Sequence, residues 1–268
     1  MPSDLSLMKI SVIITTYNAP HFLDWCLGSV SWQTHVPFEV IIADDGSTAE
    51  TQEIINKWRA SLPCRMLHSF QPDDGFRLAR SRNLAALKAS GDWIVYLDGD
   101  CLMPQDFLER LSTLFARRRL IFGSRKLLSA VETRQLLSTS PELRLVQSFF
   151  IGKKFWRIPL GFLRRVPRRS WKSVRGFMMA LRREDLCVVG GFDENYRTWG
   201  LEDSEFAIRA IRSGLMLTDS RYKTSLLHLY HPEPSNNVKS ENDKMFSKLL
   251  KDEHRYISPK SCVIDGGL

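Results

Sequence analysis

The chain has no Cys-x-x-Cys spacing, and its five cysteines (Cys26, Cys64, Cys101, Cys187 and Cys262) are scattered and odd in number. That excludes a disulfide framework and a zinc finger or ribbon, and it fits a reducing cytoplasm. No apolar stretch approaches the ~18 residues of a spanning helix, and the opening MPSDLSLMK has no basic start followed by an apolar run. The expectation is a protein that is soluble in the cytoplasm or peripheral on the cytoplasmic face of an inner membrane. Internal repeats and low-complexity tracts are also missing. Acidic residues are absent from 143–183, which holds twelve Lys or Arg, whereas the remainder holds 26 basic against 30 acidic residues. The net charge of +8 therefore belongs to one segment.

What is present suits one globular domain with elaborations: 268 residues, 43% hydrophobic and 25% charged. Residues 10–15 (ISVIIT), 38–43 (FEVIIA) and 93–97 (WIVYL) are short, rich in Val and Ile, and bounded by turn residues, as buried strands are. Residues 22–33, 48–59 and 78–89 carry apolar positions at helical spacing, the second opened by Ser47 or Thr48 with Glu50 and Glu53 as a capped, acidic start. Strand, helix, strand repetition predicts an α/β fold with a mostly parallel central sheet flanked by helices. Further along, the pattern predicts a helix over 104–118, strands over 120–123, 177–181 and 226–229, and helices over 202–213 and 240–254. The stretch from 124 to 176 lacks clear periodicity and is expected to be irregular or part-helical.

Open sheets of this kind bind ligands beyond the carboxyl ends of their strands. The unusual polar residues lie there: Thr15, Thr16, Tyr17 and Asn18 after the first strand, Asp44 and Asp45 after the second, and Asp98-Gly99-Asp100 after the third. Two carboxylates one residue apart can divide their tasks, one ligating a divalent cation and the other bonding a ribose, with Gly99 admitting a diphosphate between them. The plain alternative is a strand-to-helix turn with a capping Asp. The cluster Trp199-Gly200-Leu201-Glu202-Asp203 sets adjacent carboxylates at a helix start, where simple N-terminal capping is the competing explanation. His231 and His228 are each, taken alone, ordinary structural histidines.

The combination of ISVIITTYN, ADDGST and ARSRNLAALKASGDWIVYLDGD resembles the family 2 glycosyltransferases of GT-A fold. Downstream, RTWGLEDSEFAIRAIRSG and LYHPEP resemble the C-terminal half of chondroitin-polymerase and β-1,4-galactosyltransferase-type enzymes. The resemblance implies a Rossmann-like donor-binding half over 1–125, a basic insertion over 126–175, an acceptor and catalytic half over 176–236, and a C-terminal helix and tail over 237–268. It implies that Thr15, Tyr17, Asn18, Asp44, Asp45, Arg77, Asn83, Asp98 and Gly99 surround a UDP-sugar, with Arg82 in support. It further implies that Asp100 and His231 hold Mn²⁺ or Mg²⁺, His228 being the weaker candidate, with a place in the core as its alternative. Asp203 is then the general base, Glu202 its neighbour on the acceptor, and Trp199 and Gly200 the acceptor wall. The implied activity is an inverting, metal-dependent transfer to a glycan or lipid-linked glycan of the bacterial envelope, by a single-linkage enzyme.

The basic segment interleaves Lys153, Lys154, Arg157 and Arg164 with Phe155, Trp156, Phe162 and Trp171, a composition shared with interfacial membrane segments. An anionic membrane surface or acidic glycolipid is therefore expected over 143–183, and no nucleic acid, since no nucleic-acid-binding motif accompanies the charge. Competing readings are a nucleotidyltransferase of similar fold, which has no need of the Trp-Gly-Leu-Glu-Asp cluster, and a non-catalytic sugar-nucleotide-binding module.

Overall fold

The computed structural model describes residues 8–141, 143–152, 170–221, 223–232, 241–254, 256–261 and 263. Its framework follows from the apolar runs. The strand β1 (Ile10–Thr16) is buried along its whole length, and the period of two along a strand divides its side chains between two layers. Ile10, Val12 and Ile14 pack on one face with α1 (Pro20–Ser31) and α2 (Ala49–Ser61), whereas Ile13 packs on the other with α3 (Leu78–Lys88). Parallel partners flank it: β2 (Glu39–Asp44) on one side, itself bordered by β3 (Arg65–Phe70), and β4 (Trp93–Asp98) on the other. Truncating a fully buried side chain of this strand, such as Ile13, costs about 2–5 kcal/mol.

Register places the polar strand ends together. Thr15 pairs with both Ala43 and Asp98, and Thr16 pairs with Asp44, so the carboxyl ends of the three strands finish at one level. After β4 the chain makes β5 (Cys101–Leu102), the short helix α4 (Phe107–Ser112), β6 (Arg119–Phe122) and β7 (Ser124–Leu127). The helix expected over 104–118 is corrected to α4 alone. Beyond it, Leu114 and Phe115 bond back three residues, and Arg118 takes a left-handed φ of 58°, which breaks the helical ladder.

The segment expected to be irregular holds β7, then α5 (Ala130–Leu137), opened by a Ser129/Glu132 capping box, and α6 (Leu143–Gly152). Residues 153–169, the heart of the basic insertion, lie outside the described residues. Next come β8 (Met178–Arg182), α7 (Arg183–Val189), α8 (Glu202–Arg212), β9 (Met216–Asp219), β10 (Ser225–His228) and α9 (Glu241–Lys251).

The main sheet runs β3-β2-β1-β4-β8-β6-β9, with β8 antiparallel to β4 and β6. A smaller sheet, β5-β10-β7, stands beside it over its own apolar cluster of Trp25, Leu102, Leu128, Leu136, Val146, Leu227 and Leu229. The pairing of His228 with Cys101 in that sheet carries the C-terminal half back to the end of β4. Among the described residues no helix is long and apolar enough to cross a membrane.

Candidate active site

Two cavities meet at the ends of β1 and β4. The smaller, of about 390 Å³, is lined by Thr15, Thr16, Tyr17, Asp45, Phe76 and Gly99 among others. The larger, of about 1030 Å³, is lined by Arg82, Arg125, Gly176, Glu202, Asp203 and Tyr230 among others. Leu78, Asp98, Asp100, Trp199 and His231 line both.

On the smaller side, Tyr17 is half exposed and its hydroxyl donates to Asp73 Oδ2 at 2.9 Å, a bond that raises its ionisation above the ordinary range. Asp45 accepts from the backbone N–H of Arg77 at 2.7 Å and from the Gln71 amide. Burial nonetheless pushes the Asp45 carboxyl up, against the Arg77 N–H and the Gln71 amide.

Four residues expected at the nucleotide are engaged within the protein. Asp44 is 2% exposed, accepts from Ser47 N at 2.9 Å and lies 2.9 Å from His68 Nε2; those partners hold its carboxyl low against the effect of burial. Asn18, at a left-handed φ of 45°, joins two loops by donating from its N–H to Ser47 Oγ and accepting from Thr48 N. Arg77 donates its guanidinium to Pro72 O. Asn83 is fully buried: its amide donates to Phe192 O and Glu194 and accepts from Phe192 N. None of the four lines either cavity. Asn83 is thus placed as a core cross-link between α3 and the loop before α8, because its side chain is spent on that loop rather than on the crevice. Thr48 caps α2 by position, but its hydroxyl donates to Glu50.

The two carboxylates of Asp98-Gly99-Asp100 face different partners. Asp98 Oδ1 accepts from Thr15 Oγ1 at 3.0 Å and from Arg82 Nη2 at 3.0 Å. Gly99 is required by packing: its N–H donates to Thr15 O, and a Cβ there would lie 2.6 Å from that carbonyl oxygen. Asp100 Oδ2 lies 3.1 Å from His231 Nε2 and 3.2 Å from His228 Nε2, while its Oδ1 accepts from the Cys101 thiol at 3.2 Å. Burial works against the Asp100 charge, and the two imidazoles overcome it, holding the carboxyl far below the usual range. Hydrogen bonding to Asp100 raises His231 in turn. Burial first, and then Asp100, pushes the Cys101 thiol well up, so it stays protonated and serves Asp100 as a hydrogen-bond donor.

Asp100, Cys101 and His228 offer ligand atoms within 4.8 Å of one another and His231 approaches the same Asp100 oxygen, and a carboxylate with imidazoles suits a divalent cation of the Mn²⁺ type. The buried His228 Nε2 makes no well-formed hydrogen bond among the described residues beyond its 3.2 Å approach to Asp100, and a cation between the two would engage both. His228, read from sequence as the weaker candidate, is therefore as close to Asp100 as His231 is. The i, i+3 spacing of the two histidines at the end of β10 was the available signal.

On the larger side, α8 begins under strain. Gly200 and Leu201 take left-handed φ values of 96° and 74°. For Leu201 that costs on the order of 1–3 kcal/mol. Two contacts hold the turn: Asn242 on α9 donates to Thr198 O and Gly200 O, and Leu201 packs against Ile208, Phe246 and Leu249. The helix expected over 240–254, present as α9, thus supplies the support for Trp199-Gly200. Asp203 Oδ1 accepts from Ser204 N at 2.6 Å, and its Oδ2 from Gly176 N at 2.7 Å. Glu202 is buried, with Oε1 3.3 Å from Arg82 Nη1 and Oε2 without a hydrogen-bond partner among the described residues. Burial and then Asp203 push Glu202 up to about 7, opposed by Arg82.

Arg82, which the sequence placed only in support, is the connecting residue. It is buried and bonds Asp98, Glu202 and Gly176 O. Burial alone would weaken its hold on the proton, but Asp98, Glu202 and Asp203 strengthen it.

The family model for glycosyl transferase family 2 matches residues 11–188, and that for the N-terminal domain of galactosyltransferase matches 164–232. Validoxylamine A glucosyltransferase from Streptomyces hygroscopicus subsp. limoneus is 30% identical over 230 residues, covering 79% of this chain and 50% of the relative. Chondroitin synthase from Escherichia coli is 28% identical over 262 residues, covering 90% and 37%. The chain thus spans half or less of the length of these relatives. The crystal structure of GalNAc-T7 with UDP, GalNAc and Mn²⁺ superposes with a TM-score of 0.62 at 19% identity, covering 92% of this chain and 49% of the other. The fold is the expected GT-A arrangement.

Proposed function

The chain belongs to glycosyl transferase family 2, and on that premise we propose that it is an inverting, metal-dependent glycosyltransferase that moves a sugar from a UDP-sugar to a hydroxyl of a glycan or glycolipid. The observation that carries the proposal is the junction of two cavities: Asp98, Asp100, Trp199 and His231 line both, whereas Asp203 lines only the larger. Donor in the smaller cavity and acceptor in the larger would place the anomeric carbon between the metal donors and the base.

Each part has a residue. Thr15, Tyr17 and Asp45 line the nucleotide side, and Asp100, His228 and His231 would hold Mn²⁺ or Mg²⁺. The bound cation supplies neutralisation of charge at the departing diphosphate. Asp203, fixed by main-chain donors, accepts the proton of the attacking hydroxyl. Glu202 stands beside it with an unmet oxygen for a sugar hydroxyl, and Trp199 presents an aromatic face to the junction. A single displacement inverts the anomeric configuration. The likeness to a chondroitin synthase and the basic segment support a place in bacterial envelope glycan synthesis, at the cytoplasmic face of the inner membrane.

The experiment is UDP release from a panel of UDP-sugars, with and without Mn²⁺ and with added envelope glycolipid. Metal-dependent release stimulated by acceptor is expected. UDP binding that needs no metal and yields no turnover would instead indicate a sugar-nucleotide-binding module, and pyrophosphate chemistry would indicate a nucleotidyltransferase.

A further inference from the structure

Three cations line the larger cavity without a carboxylate partner among the described residues: Arg125, Lys172 and Arg175. Arg125 lies on β7 with its guanidinium 4.9 Å from the centre of the Phe177 ring. Arg175 donates to the carbonyls of Lys172 and Val174, and Lys172 sits on the turn Trp171–Ser173. Of the carboxylates lining the same cavity, Asp98 and Glu202 Oε1 face Arg82, Asp203 takes Gly176 N and Ser204 N, Asp100 lies beside the two histidines, and Asp243 stands on α9. Among the described residues, no Lys or Arg lines the smaller cavity, the nucleotide side.

Placement ties the cations to the acceptor position. Arg175, Gly176 and Phe177 are consecutive: the first lines the cavity, the second bonds Asp203, and the third carries Arg125. An anion held by these side chains would sit beside the hydroxyl presented to Asp203. We infer that the acceptor carries an oxyanion, a phosphate or a carboxylate, close to the sugar that is glycosylated, and that Arg125, Lys172 and Arg175 bind it. The inference rests on the donor and acceptor assignment proposed above and narrows the acceptor to an acidic saccharide. Guanidinium and ammonium groups in a concave site suit such a group, and charge-assisted bonds favour it over a neutral sugar.

Trp171 and Trp199 line the same cavity and report on its occupancy. The full chain, first titrated with UDP and Mn²⁺, is then titrated with methyl glucoside, methyl glucuronide and glucose 6-phosphate at constant ionic strength, following tryptophan fluorescence. At least one anionic sugar is expected to bind about tenfold or more tighter than methyl glucoside. The gain should vanish in R125Q/K172Q/R175Q and survive in R125K, and the two anionic arms separate phosphate from carboxylate. Should the triple variant unfold, K172Q alone, at an exposed position, is expected to reduce the preference. Equal or weaker binding of both anionic sugars overturns the inference. So does a triple variant that loses UDP affinity while keeping the preference, because the cations would then serve the donor. Absence of UDP binding in the first titration contradicts the donor assignment itself and the inference with it.

Discussion

The backbone N–H of Gly176 donates to Oδ2 of Asp203 at 2.7 Å, so the proposed base is fixed by main chain from a distant strand entry as well as by the start of its own helix. Gly176 allows this closeness, since a Cβ there would lie 3.3 Å from Asp203 Cβ and 3.1 Å from Arg82 Nη2. Gly176→Ala should therefore press on Asp203 and on Arg82, each of which must give by a few tenths of an ångström. Turnover is expected to fall by less than the roughly 100-fold that ~1 Å of misplacement produces, and by more than UDP affinity does. Steady-state kinetics beside a UDP titration checks this.

Arg82 holds Asp98 and Glu202 at once, in a buried position. Arg82→Met would leave two acidic groups facing each other without their cation, and breaking a buried pair from one side costs about 3–5 kcal/mol. Urea unfolding should show a loss of that order. An unchanged midpoint would mean that the network carries little of the fold.

Glu202 gives a pH signature. Its carboxyl rises from an ordinary 4.5 to about 7 on folding, through burial and then Asp203. The folded state therefore binds the proton more tightly than the unfolded chain does. Stability tied to that proton is complete below 4.5 and is lost as pH rises through about 7. Melting temperatures of the metal-free protein should decline across that window, and Glu202→Gln should flatten the decline. Parallel pH profiles for the two proteins would refute the assignment.

His228 and His231 approach the same oxygen of Asp100. Replacing either with Ala should weaken Mn²⁺ binding by at least the roughly 10–100-fold typical of lost outer-shell partners. Calorimetric titration of Mn²⁺ into the UDP-bound protein measures it. If only His231→Ala weakens binding, His228 is a core histidine.

Much of this was legible in the chain. The strands ISVIIT and WIVYL announce themselves because they are buried on both faces, and the polar residues at their ends follow from a parallel sheet. β3 escaped because RMLHSF, at the sheet edge, mixes exposed and buried positions without alternation. β5 is only two residues long and β7 is mostly polar, so neither can be read alone; they exist because β10 pairs with both. Asn83 escaped for the opposite reason: a motif position gives no sign of which way its side chain points. Arg82, Gly176 and Asn242 act through contacts that span 120, 27 and 42 positions of sequence, which no local pattern encodes.

The central claim is that Asp203 removes the acceptor proton while the donor is held elsewhere. Asp203→Asn, assayed for transfer and for UDP–Mn²⁺ affinity in the same preparation, tests it most directly. Transfer should fall on the order of 10²–10⁴-fold with affinity for UDP–Mn²⁺ preserved. Turnover retained in the variant would contradict the account.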